Sequence, residues 1–483
     1  MKKIILLLII STVFITSSQG QWLPKRTYTF DSEPLAGLKS NSVTDIIIQD
    51  EQTIWIGTGE GLSKSTDGGQ TWVTYTEKNG LGRGGVSAMA MAGSIIWVAT
   101  AFDSLVADGS HLPAGGGLSY STDGGQNWTH VPQPQPNGDW TVVQNVTYDI
   151  AIIDSTVWIA SFGGGLMKSS DMGQTWIVRP PDDYNFNPDQ YLNHRVFSLL
   201  AVGDTLWVGT AEGINVSYDA GKTWTTQFTH QNQAQPISGN FVVSLACQQI
   251  GDRQIIWAGT ANAEGSDEFR ATSWTEDGGR TWKNALQGKF AWNFAFDGDA
   301  VYACTDSGLW KSPDAGETWD VFPPIIDPDR REKIYSIEYY SVGITPSKRL
   351  WVGTADGLAT SSDNGVHWAI LRAFVEPGVA GEPRVYAYPN PFSPLRHNQF
   401  GGDGFIRFQF KTTAVTRAKV RIFDFAMDLV TTVDEGKTYP AGDWSIAWNG
   451  KTADGKLLAN GVYFYQLDLA GEGKHWGKII IID

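Results

Sequence analysis

The chain has 483 residues, with 51 Asp and Glu against 36 Lys and Arg, and its formal net charge is −15 at pH 7. This acidic balance argues against nucleic acid and anionic membrane surfaces as partners. Two cysteines are too few for a disulfide framework. The length allows two or three domains.

The first twenty residues, 1–20, have the pattern of a secretory signal peptide. Lys2 and Lys3 precede an apolar run from Ile4 to Ile15, and small and polar residues follow as far as Gly20. No later apolar run approaches the length that spans a membrane. The sequence therefore predicts an exported chain, secreted or held on the outer surface of a Gram-negative cell.

An eight-residue pattern, S-x-D-x-G-x-T-W, occurs seven times between Ser65 and Trp368. The first copy is STDGGQTW at Ser65–Trp72, the last is SSDNGVHW at Ser361–Trp368, and the period is about 49 residues. Its aspartates are Asp67, Asp123, Asp171, Asp219, Asp277, Asp314 and Asp363. Hydroxyl and carboxylate oxygens accept backbone N–H bonds in tight turns, and Gly supplies a positive φ. One carboxylate per turn is too few for a Ca²⁺ site, so we interpret the motif as architectural.

Each copy belongs to a unit of four short predicted strands, a to d, in which the motif joins strand c to strand d. Strand b reads IWIGT at Ile54–Thr58 and LWVGT at Leu350–Thr354, and an apolar strand a precedes it. Seven such units predict an all-β fold, a seven-bladed β-propeller, within residues 21–374. The last blade could take its outer strand from Thr27–Asp45 or from Ala369–Phe374, and the sequence leaves both open.

After the repeats, a Pro-rich linker is predicted at residues 375–394, and the repeat stops. Six strand-length segments then alternate with Gly and Asp turns: Phe405–Lys411, Lys419–Asp424, Leu429–Val433, Trp444–Trp448, Val462–Leu469 and Lys478–Ile482. About 100 residues of this kind predict a small Ig-like β-sandwich over residues 385–483.

The seven motif copies resemble the Asp-box (BNR) repeats of sialidases, sortilin-type receptors, xyloglucan-cleaving glucanases and photosystem II assembly factors. The strings WIGTGEGL at Trp55–Leu62 and WVGTADGL at Trp351–Leu358 are also similar to sensor propellers of the two-component regulator type. The resemblance implies propeller architecture. It implies no single activity, because the same repeats serve hydrolases, receptors and assembly factors.

The tail carries a second resemblance. YPNPF at Tyr388–Phe392, VRIFD ending at Asp424, the run from Trp448 to Leu467 and the terminal KIIIID resemble the Ig-like module of flagellar hook-capping proteins and the C-terminal sorting domains of type IX secretion. This resemblance implies that the tail is a sorting or attachment domain and that secretion machinery is a partner.

Strand order predicts where a ligand binds. The a–b and c–d connections share one face with all seven motif turns, which we call the turn face, and the b–c and d–a connections share the opposite loop face. Six long insertions fall on the loop face: Ala101–Gly117, Val131–Asn145, Arg179–Arg195, Thr229–Asn240, Ala261–Thr272 and Pro323–Lys333. Irregular loops on a rigid scaffold commonly carry binding groups. The candidate ligand-binding residues are Asp103, Asp108, His111, Trp140, Asp182, Asp183, Tyr184, Tyr191, His194, Arg195, Glu264, Asp267, Glu268 and Arg270.

The first functional hypothesis is a non-catalytic binding or scaffold module with a glycan or protein ligand. The alternatives are a secreted glycoside hydrolase that uses loop-face carboxylates and an envelope assembly factor. Glycoside hydrolysis needs two carboxyl groups at a set separation, and no spacing singles out a pair. Sialidases have an Arg-Ile-Pro-type string early in the chain, whereas Leu23–Arg26 here reads LPKR. Xyloglucan-cleaving enzymes cleave between two seven-bladed propellers, whereas this sequence predicts one. We predict no catalytic residue, no metal site and no cofactor.

Two residue types receive an architectural interpretation. Thirteen of the 21 tryptophans fall in the motif or on strand b, so we interpret the aromatic excess as core, with Trp140 the one loop tryptophan on the candidate face. Cys247 and Cys304 fall on neighbouring blades, and we expect two small buried hydrophobic residues rather than a disulfide.

Overall fold

A computed structural model describes residues 38–136, 143–375, 377–378 and 383–483, and within them the fold is all-β apart from two 3₁₀ turns, Glu77–Asn79 and Leu192–His194. The predicted signal peptide and Thr27–Gly37 lie outside the described residues. No helix in the described part has the length and apolarity needed to cross a membrane.

Seven four-stranded antiparallel sheets follow one another along the chain, each with its strands in sequence order from a to d. Sheets one to four contain β1 (Val43–Ile48), β2 (Ile54–Thr58), β3 (Gly61–Ser65), β4 (Val73–Tyr75); β5 (Gly85–Ala92), β6 (Ile95–Leu105), β7 (His111–Ser121), β8 (Thr129–Val131); β9 (Thr147–Ile153), β10 (Thr156–Ser161), β11 (Gly165–Ser169), β12 (Ile177–Val178); β13 (Val196–Val202), β14 (Thr205–Thr210), β15 (Gly213–Ser217) and β16 (Thr226–Phe228). Sheets five to seven contain β17 (Phe241–Ile250), β18 (Arg253–Ala261), β19 (Ala271–Thr275), β20 (Lys283–Ala285); β21 (Ala291–Asp297), β22 (Ala300–Thr305), β23 (Gly308–Ser312), β24 (Asp320–Val321); β27 (Tyr339–Ile344), β28 (Leu350–Thr354), β29 (Gly357–Ser361) and β30 (Ala369–Leu371). A two-stranded hairpin, β25 (Ile326–Asp327) and β26 (Glu332–Lys333), lies between sheets six and seven.

The first strands of the seven sheets form a closed ring. Each innermost strand contacts that of the next sheet, and β27 contacts β1. Strand b is buried throughout in sheets one and seven, as in Ile54–Thr58 and Leu350–Thr354, because it lies between two strands and between two neighbouring sheets. The fold is therefore a β-propeller of seven sheets around a central channel, as the repeat predicts.

The last sheet takes its outer strand from β30, which pairs with β29. Asn41, which precedes β1, binds the chain just after β30 with two hydrogen bonds. Its side-chain amide donates an N–H to the carbonyl of Ala373 (3.0 Å), and its side-chain oxygen accepts the Ala373 N–H (2.7 Å). Of the two alternatives that the sequence leaves open, the structure shows the strand from Ala369 onward in the outer position.

The seven motif turns share one geometry and join neighbouring blades. In every copy the Asp accepts the N–H of the residue four positions later at 2.8–3.0 Å, and the Ser or Thr hydroxyl accepts that of the second Gly position at 2.8–2.9 Å. That glycine has a positive φ. A Cβ there would lie 2.3–3.0 Å from an aromatic ring of the preceding blade, so the turn also fastens one blade to the next.

The closure of the ring uses the same contact. A Cβ on Gly69 of sheet one would lie 2.3 Å from Trp351 of sheet seven. The motif residue Trp72 packs its edge against Trp351 with ring centroids 6.1 Å apart. Edge-to-face packing at this separation is favourable for aromatic pairs, so each motif Trp completes the interface that its own turn begins.

The two cysteines are free thiols. Cys304 is fully buried in the core between sheets six and seven, and Cys247 is partly buried against the core between sheets four and five. Burial raises the pKa of both thiols, which keeps them protonated and unreactive.

The C-terminal part is a two-sheet sandwich. Its strands are β31 (Val385–Tyr388), β32 (Ile406–Thr412), β33 (Thr416–Phe423), β34 (Leu429–Tyr439), β35 (Gly442–Trp448), β36 (Gly461–Leu469) and β37 (Gly473–Ile481). One sheet has the order β31-β32-β35 and the other the order β34-β33-β36-β37. The stretch predicted as a linker thus contains a strand, β31, because the alternating residues of VYAY are buried against the sandwich and the propeller.

A buried cluster of charges joins the sandwich to the propeller. Arg407 of β32 is fully buried and holds the Asp356 carboxylate with two parallel bonds of 2.7 and 2.6 Å. Arg372 binds the same carboxylate at 2.6 Å and Glu332 at 3.1 Å, and Ser445 donates to Glu332 at 2.6 Å. Burial opposes ionisation of Asp356, but the two guanidinium groups outweigh it and lower its pKa.

Candidate functional site

The insertion of sheet two is a long hairpin rather than an irregular loop. β6 and β7 stay paired as far as Leu105 and His111, so three candidate residues lie at its exposed end. Asp103 and His111 are exposed, and Asp108 accepts the N–H and hydroxyl of Ser110 at 2.8 and 2.6 Å in the terminal turn. The two strands extend the sheet because their residues stay in antiparallel register from the pair Ala101 and Gly115 to the pair Leu105 and His111. Trp140 lies outside the described residues.

The insertion between sheets three and four contains a buried histidine. His194 has no exposed surface, and its Nδ1 accepts the N–H of Asn187 at 2.8 Å. Its Nε2 therefore carries the proton and donates to Asp182 at 3.0 Å. Asn193 donates to the other oxygen of Asp182 at 3.0 Å. The geometry makes His194 and Asp182 the polar core of their own loop.

The same insertion exposes an aromatic pair. Tyr184 is 61% exposed and stacks on Tyr191 with ring centroids 4.9 Å apart. Asp183 beside it is exposed. Arg195 ends the insertion, donates from Nε to the carbonyl of Pro188 at 2.6 Å and is almost fully buried.

The insertion of sheet five is organised by one carboxylate. Glu268 is buried and accepts five hydrogen bonds of 2.7–3.1 Å, from Gln231, the backbone and side chain of Asn240, Ala263 and Gly265. Asp267 is exposed and lies 3.2 Å from His230, and Glu264 is exposed. A carboxylate with this many partners holds loops together.

Six aromatic side chains lie in sequence at the loop-face end of the channel, and we call them the aromatic arc. They are Tyr148, Phe162, Phe197, Phe241, Phe290 and Trp292, contributed by sheets three to six. Tyr148 and Phe162 each contact Phe197, and Phe197, Phe241, Phe290 and Trp292 then follow one another, with ring centroids 4.2–6.4 Å apart. Aromatic pairs at such separations attract one another. Each residue lies at or beside the first positions of an innermost strand or the end of a strand b.

Two candidate arginines lie beside this arc. The guanidinium group of Arg195 stands 5.2 Å from the ring centre of Phe162, and that of Arg270 stands 5.4 Å from Phe290. Burial lowers the pKa of Arg195, with Asp189 and Glu264 opposing the shift, and Arg270 lies 3.6 Å from Asp306. Among the predicted site residues, Arg195 and Arg270 contact rings of the arc, and Glu264 interacts electrostatically with Arg195.

A β-bulge at one level of the ring aims side chains into the channel. Every innermost strand carries one extra residue at its second or third position, namely Thr44, Ser87, Tyr148, Phe197, Val243, Trp292 and Tyr340. Bulges re-aim side chains at the rims of closed sheets. Trp292 is one of these bulged residues, and it both lines the channel cavity and packs against the core cluster that contains Phe290.

The bulged strands enclose a cavity of ≈ 270 Å³. Its lining includes all the bulged residues except Phe197, together with Asp45 and Asp149. Asp45 accepts the N–H groups of Ile46 and Met89 at 2.8 and 3.1 Å, and Asp149 accepts those of Ile150 and Leu199 at 2.8 Å each. Each aspartate thus links its own innermost strand to the next one.

Both channel carboxyl groups have a raised pKa. Burial inside the ring raises the pKa of Asp45 to about 6 and that of Asp149 to about 7, against the lowering effect of their backbone hydrogen bonds. The charge of Asp45 adds to the rise at Asp149. The sequence signal for these residues was present, since an Asp inside an apolar strand, as in VTDIII and TYDIAI, marks a polar group that needs partners. Neither residue is among the sequence-predicted site residues.

No group of three or more His, Cys, Asp or Glu in the described part of the chain is arranged to hold a metal ion. Residues 397–472 match the family model of the FlgD Ig-like domain. The tail therefore contains a FlgD-type Ig-like domain. No curated protein matches the sequence.

Several solved structures are similar to the chain. PorZ, an essential bacterial surface component of the type-IX secretion system of Porphyromonas gingivalis, is 16% identical, with a TM-score of 0.44 over 92% of this chain and 66% of PorZ. YCF48 from Cyanidioschyzon merolae is 15% identical, with a TM-score of 0.43 over 69% of this chain and 96% of YCF48. The GH74 xyloglucanase of Xanthomonas campestris is 13% identical, with a TM-score of 0.53 over 92% of this chain and 80% of the enzyme. The last similarity shows a shared propeller fold and no more.

Proposed function

We propose that this chain is a non-catalytic binding propeller that takes a glycan or protein ligand on its loop face, at the mouth of the central channel. The observation that carries the proposal is the aromatic arc at the rim of the ≈ 270 Å³ cavity. Binding pockets combine aromatic walls with a few placed polar groups, and rigid rings give contact area at a small cost in conformational entropy.

The acids of the loop face support binding rather than hydrolysis. A catalytic acid or base must exchange a proton with a substrate within hydrogen-bond reach. Asp182 is engaged by His194 and Asn193, and Glu268 is engaged by five protein donors. These carboxylates are occupied in holding the loops in shape.

Glycan and peptide arrays probed with the mature protein test the proposal. We expect Phe197→Ala and Trp292→Leu each to weaken binding of the captured ligand at least tenfold, because they remove rings from the arc. Gln126→Ala, an exposed change on the turn face, is the matched control and leaves binding unchanged. Full affinity in both arc variants would contradict the proposal.

A glycoside hydrolase remains the second candidate, and the channel pair Asp45 and Asp149 favours it. Such enzymes keep one carboxyl protonated near neutral pH and a second ionised, and the pKa of Asp149 is raised to about 7. Release of reducing sugar from a polysaccharide panel, abolished by Asp149→Asn, would replace the binding proposal with this one.

We also propose export to the cell surface or medium, with residues 1–20 removed and the sandwich acting as sorting or attachment domain. The pattern of Lys2, Lys3 and the apolar run supports removal. Two exposed aromatic residues of the four-stranded sheet and its turns, Phe425 between β33 and β34 (78% exposed) and Trp476 on β37 (48% exposed), support a docking role for the sandwich.

Secretion of point variants tests the sorting role better than removal of the tail, because removal would leave Asp356 and Arg372 without Arg407. We expect the double change Phe425→Ser and Trp476→Ser to reduce the exported fraction severalfold. Val415→Ser, equally exposed elsewhere on the sandwich, is the control. Normal export of the double variant would contradict the proposed role.

A further inference from the structure

The lining of the central cavity combines two kinds of group that attract cations. Asp45 and Asp149 contribute carboxylates, and Tyr148, Trp292 and Tyr340 contribute aromatic rings. Ring faces attract ammonium and guanidinium groups, and the attraction grows when water is excluded. Each oxygen of the two carboxylates accepts one backbone N–H, and a carboxylate oxygen has two lone pairs.

The described residues supply no positive side chain to the lining of this cavity. None of the described residues that line it is Lys, Arg or His. Two carboxyl groups that repel each other inside the ring are unfavourable when ionised. A cation from outside would neutralise them, and its binding would be strengthened by the low dielectric of the ring.

We infer that the channel accepts the charged side chain of a lysine or arginine presented by a protein partner. This inference rests on the proposed function and specifies the ligand of the same site.

The apolar part of the lining fits such a side chain. Met89, Leu199 and Leu245 line the same cavity as the carboxylates, and long basic side chains pack their methylene stems on apolar surface while the charged end reaches a polar group. The volume of ≈ 270 Å³ lies below the range of pockets for drug-sized ligands, so it suits one side chain. An amino sugar would place ring hydroxyls against these apolar walls.

The charge of the molecule favours a basic partner. Residues 385–483 contain eleven Lys and Arg against ten Asp and Glu, so the whole chain's net charge of −15 resides in the part before the sandwich. A field of this sign speeds association with basic partners, and salt weakens that effect.

Calorimetric titration of the full mature protein tests the inference. The probes are an acetylated, amidated pentapeptide Gly-Gly-Lys-Gly-Gly, the same peptide with norleucine or glutamate for lysine, and a chitosan hexamer. We expect the lysine peptide to bind at least tenfold more tightly than the norleucine peptide. Asp45→Asn and Asp149→Asn should each weaken the lysine peptide at least fivefold.

Both substitutions should leave the fold intact, because sheet six already has an asparagine at the equivalent position. Asn293 occupies the equivalent place in sheet six and accepts the N–H of Val342 at 3.1 Å, so an amide at this level keeps the bond between strands. Unfolding curves of the variants check this point. Asp320→Asn, an exposed change on β24, removes one negative charge away from the channel and should leave the affinity unchanged.

Equal binding of the lysine and norleucine peptides, or tighter binding of the glutamate peptide, would overturn the inference. Preference for the chitosan hexamer would overturn the assignment to a protein. If an array ligand without positive charge binds and Phe197→Ala abolishes its binding, the proposed function stands and the cation inference fails. If neither an array ligand nor any peptide binds, both fail.

Discussion

The turn face and the loop face of the propeller use the same residue types in opposite ways. On the turn face, aspartates repeat one hydrogen-bond pattern seven times, and each accepts an N–H four residues later. On the loop face, Asp182, Glu268 and Asp356 each have a different set of partners. The repeated contacts are those that every blade needs for its packing, and the contacts that are not repeated hold the individual insertions of the loop face.

Replacement of an aspartate should therefore destabilise the folded state most where its carboxylate is buried among positively charged side chains. We expect Asp356→Ala to destabilise the folded state by about 4 kcal/mol, because Arg372 and Arg407 would be left buried without their partner. Asp67→Ala on the exposed turn face should have a smaller effect. Chemical denaturation of both variants measures the difference, and equal losses would contradict the contrast between the faces.

The glycines of one motif turn offer a sharper test of its role between blades. Gly278 and Gly279 both have a positive φ, but only at Gly279 would a Cβ meet a ring, 2.3 Å from Phe228. We expect Gly279→Ala to cost about 3 kcal/mol from overpacking and backbone strain together. Gly278→Ala, with nothing within 4 Å, should cost about 1 kcal/mol. Denaturation midpoints that shift equally would show that the turn acts only locally.

The turn face and the channel should also respond to opposite ends of the pH range. The hydroxyl and N–H of Thr71 lower the pKa of Asp67 to about 2, so this stabilisation is present above pH 4 and is lost as pH falls toward 2. Asp45 and Asp149 have raised pKa values of about 6 and 7. The folded state holds their protons more tightly than the unfolded state, so stability falls as pH rises from 4 to 7.

Thermal unfolding from pH 2 to pH 8 should therefore show a maximum between pH 4 and 6. We expect Asp149→Asn to flatten the upper limb by on the order of 2 kcal/mol and to leave the acid limb unchanged. A variant with an unaltered upper limb would contradict the assignment of that limb to the channel.

The smallest effects belong to the exposed candidates on the loop face. Asp108→Ala and Asp183→Ala should each change the free energy of unfolding by less than about 0.5 kcal/mol, because neither side chain is buried. A cost above about 1 kcal/mol in denaturation would show that these residues hold the loop face together, as Glu268 does.

The sequence predicts the fold more fully than the site, and particular residues show why. The seven S-x-D-x-G-x-T-W copies encode local turns, so their spacing identifies the sheets and the face on which the turns lie. The contact between Gly69 and Trp351 joins residues far apart in the chain, and no local pattern contains it. The role of Arg407 depends on the docked sandwich in the same way.

The channel mouth shows a second limit. The sequence favours a core position for a tryptophan on a strand, but the bulge at this level brings Trp292 into the lining of the channel cavity. A one-residue shift in a strand moves a side chain to the other face. Phe197, Phe241 and Phe290 come together only when the ring closes, so none of them is distinctive in the sequence.

Photo-crosslinking from the two faces tests the central claim most directly. A benzoylphenylalanine replaces Phe241 in the aromatic arc in one strain and Gln126 in an exposed motif turn in another, and irradiated cells are analysed for adducts of the full chain. The account predicts a discrete adduct from position 241 and none from position 126. An adduct from position 126 alone would place the ligand on the turn face and contradict the account.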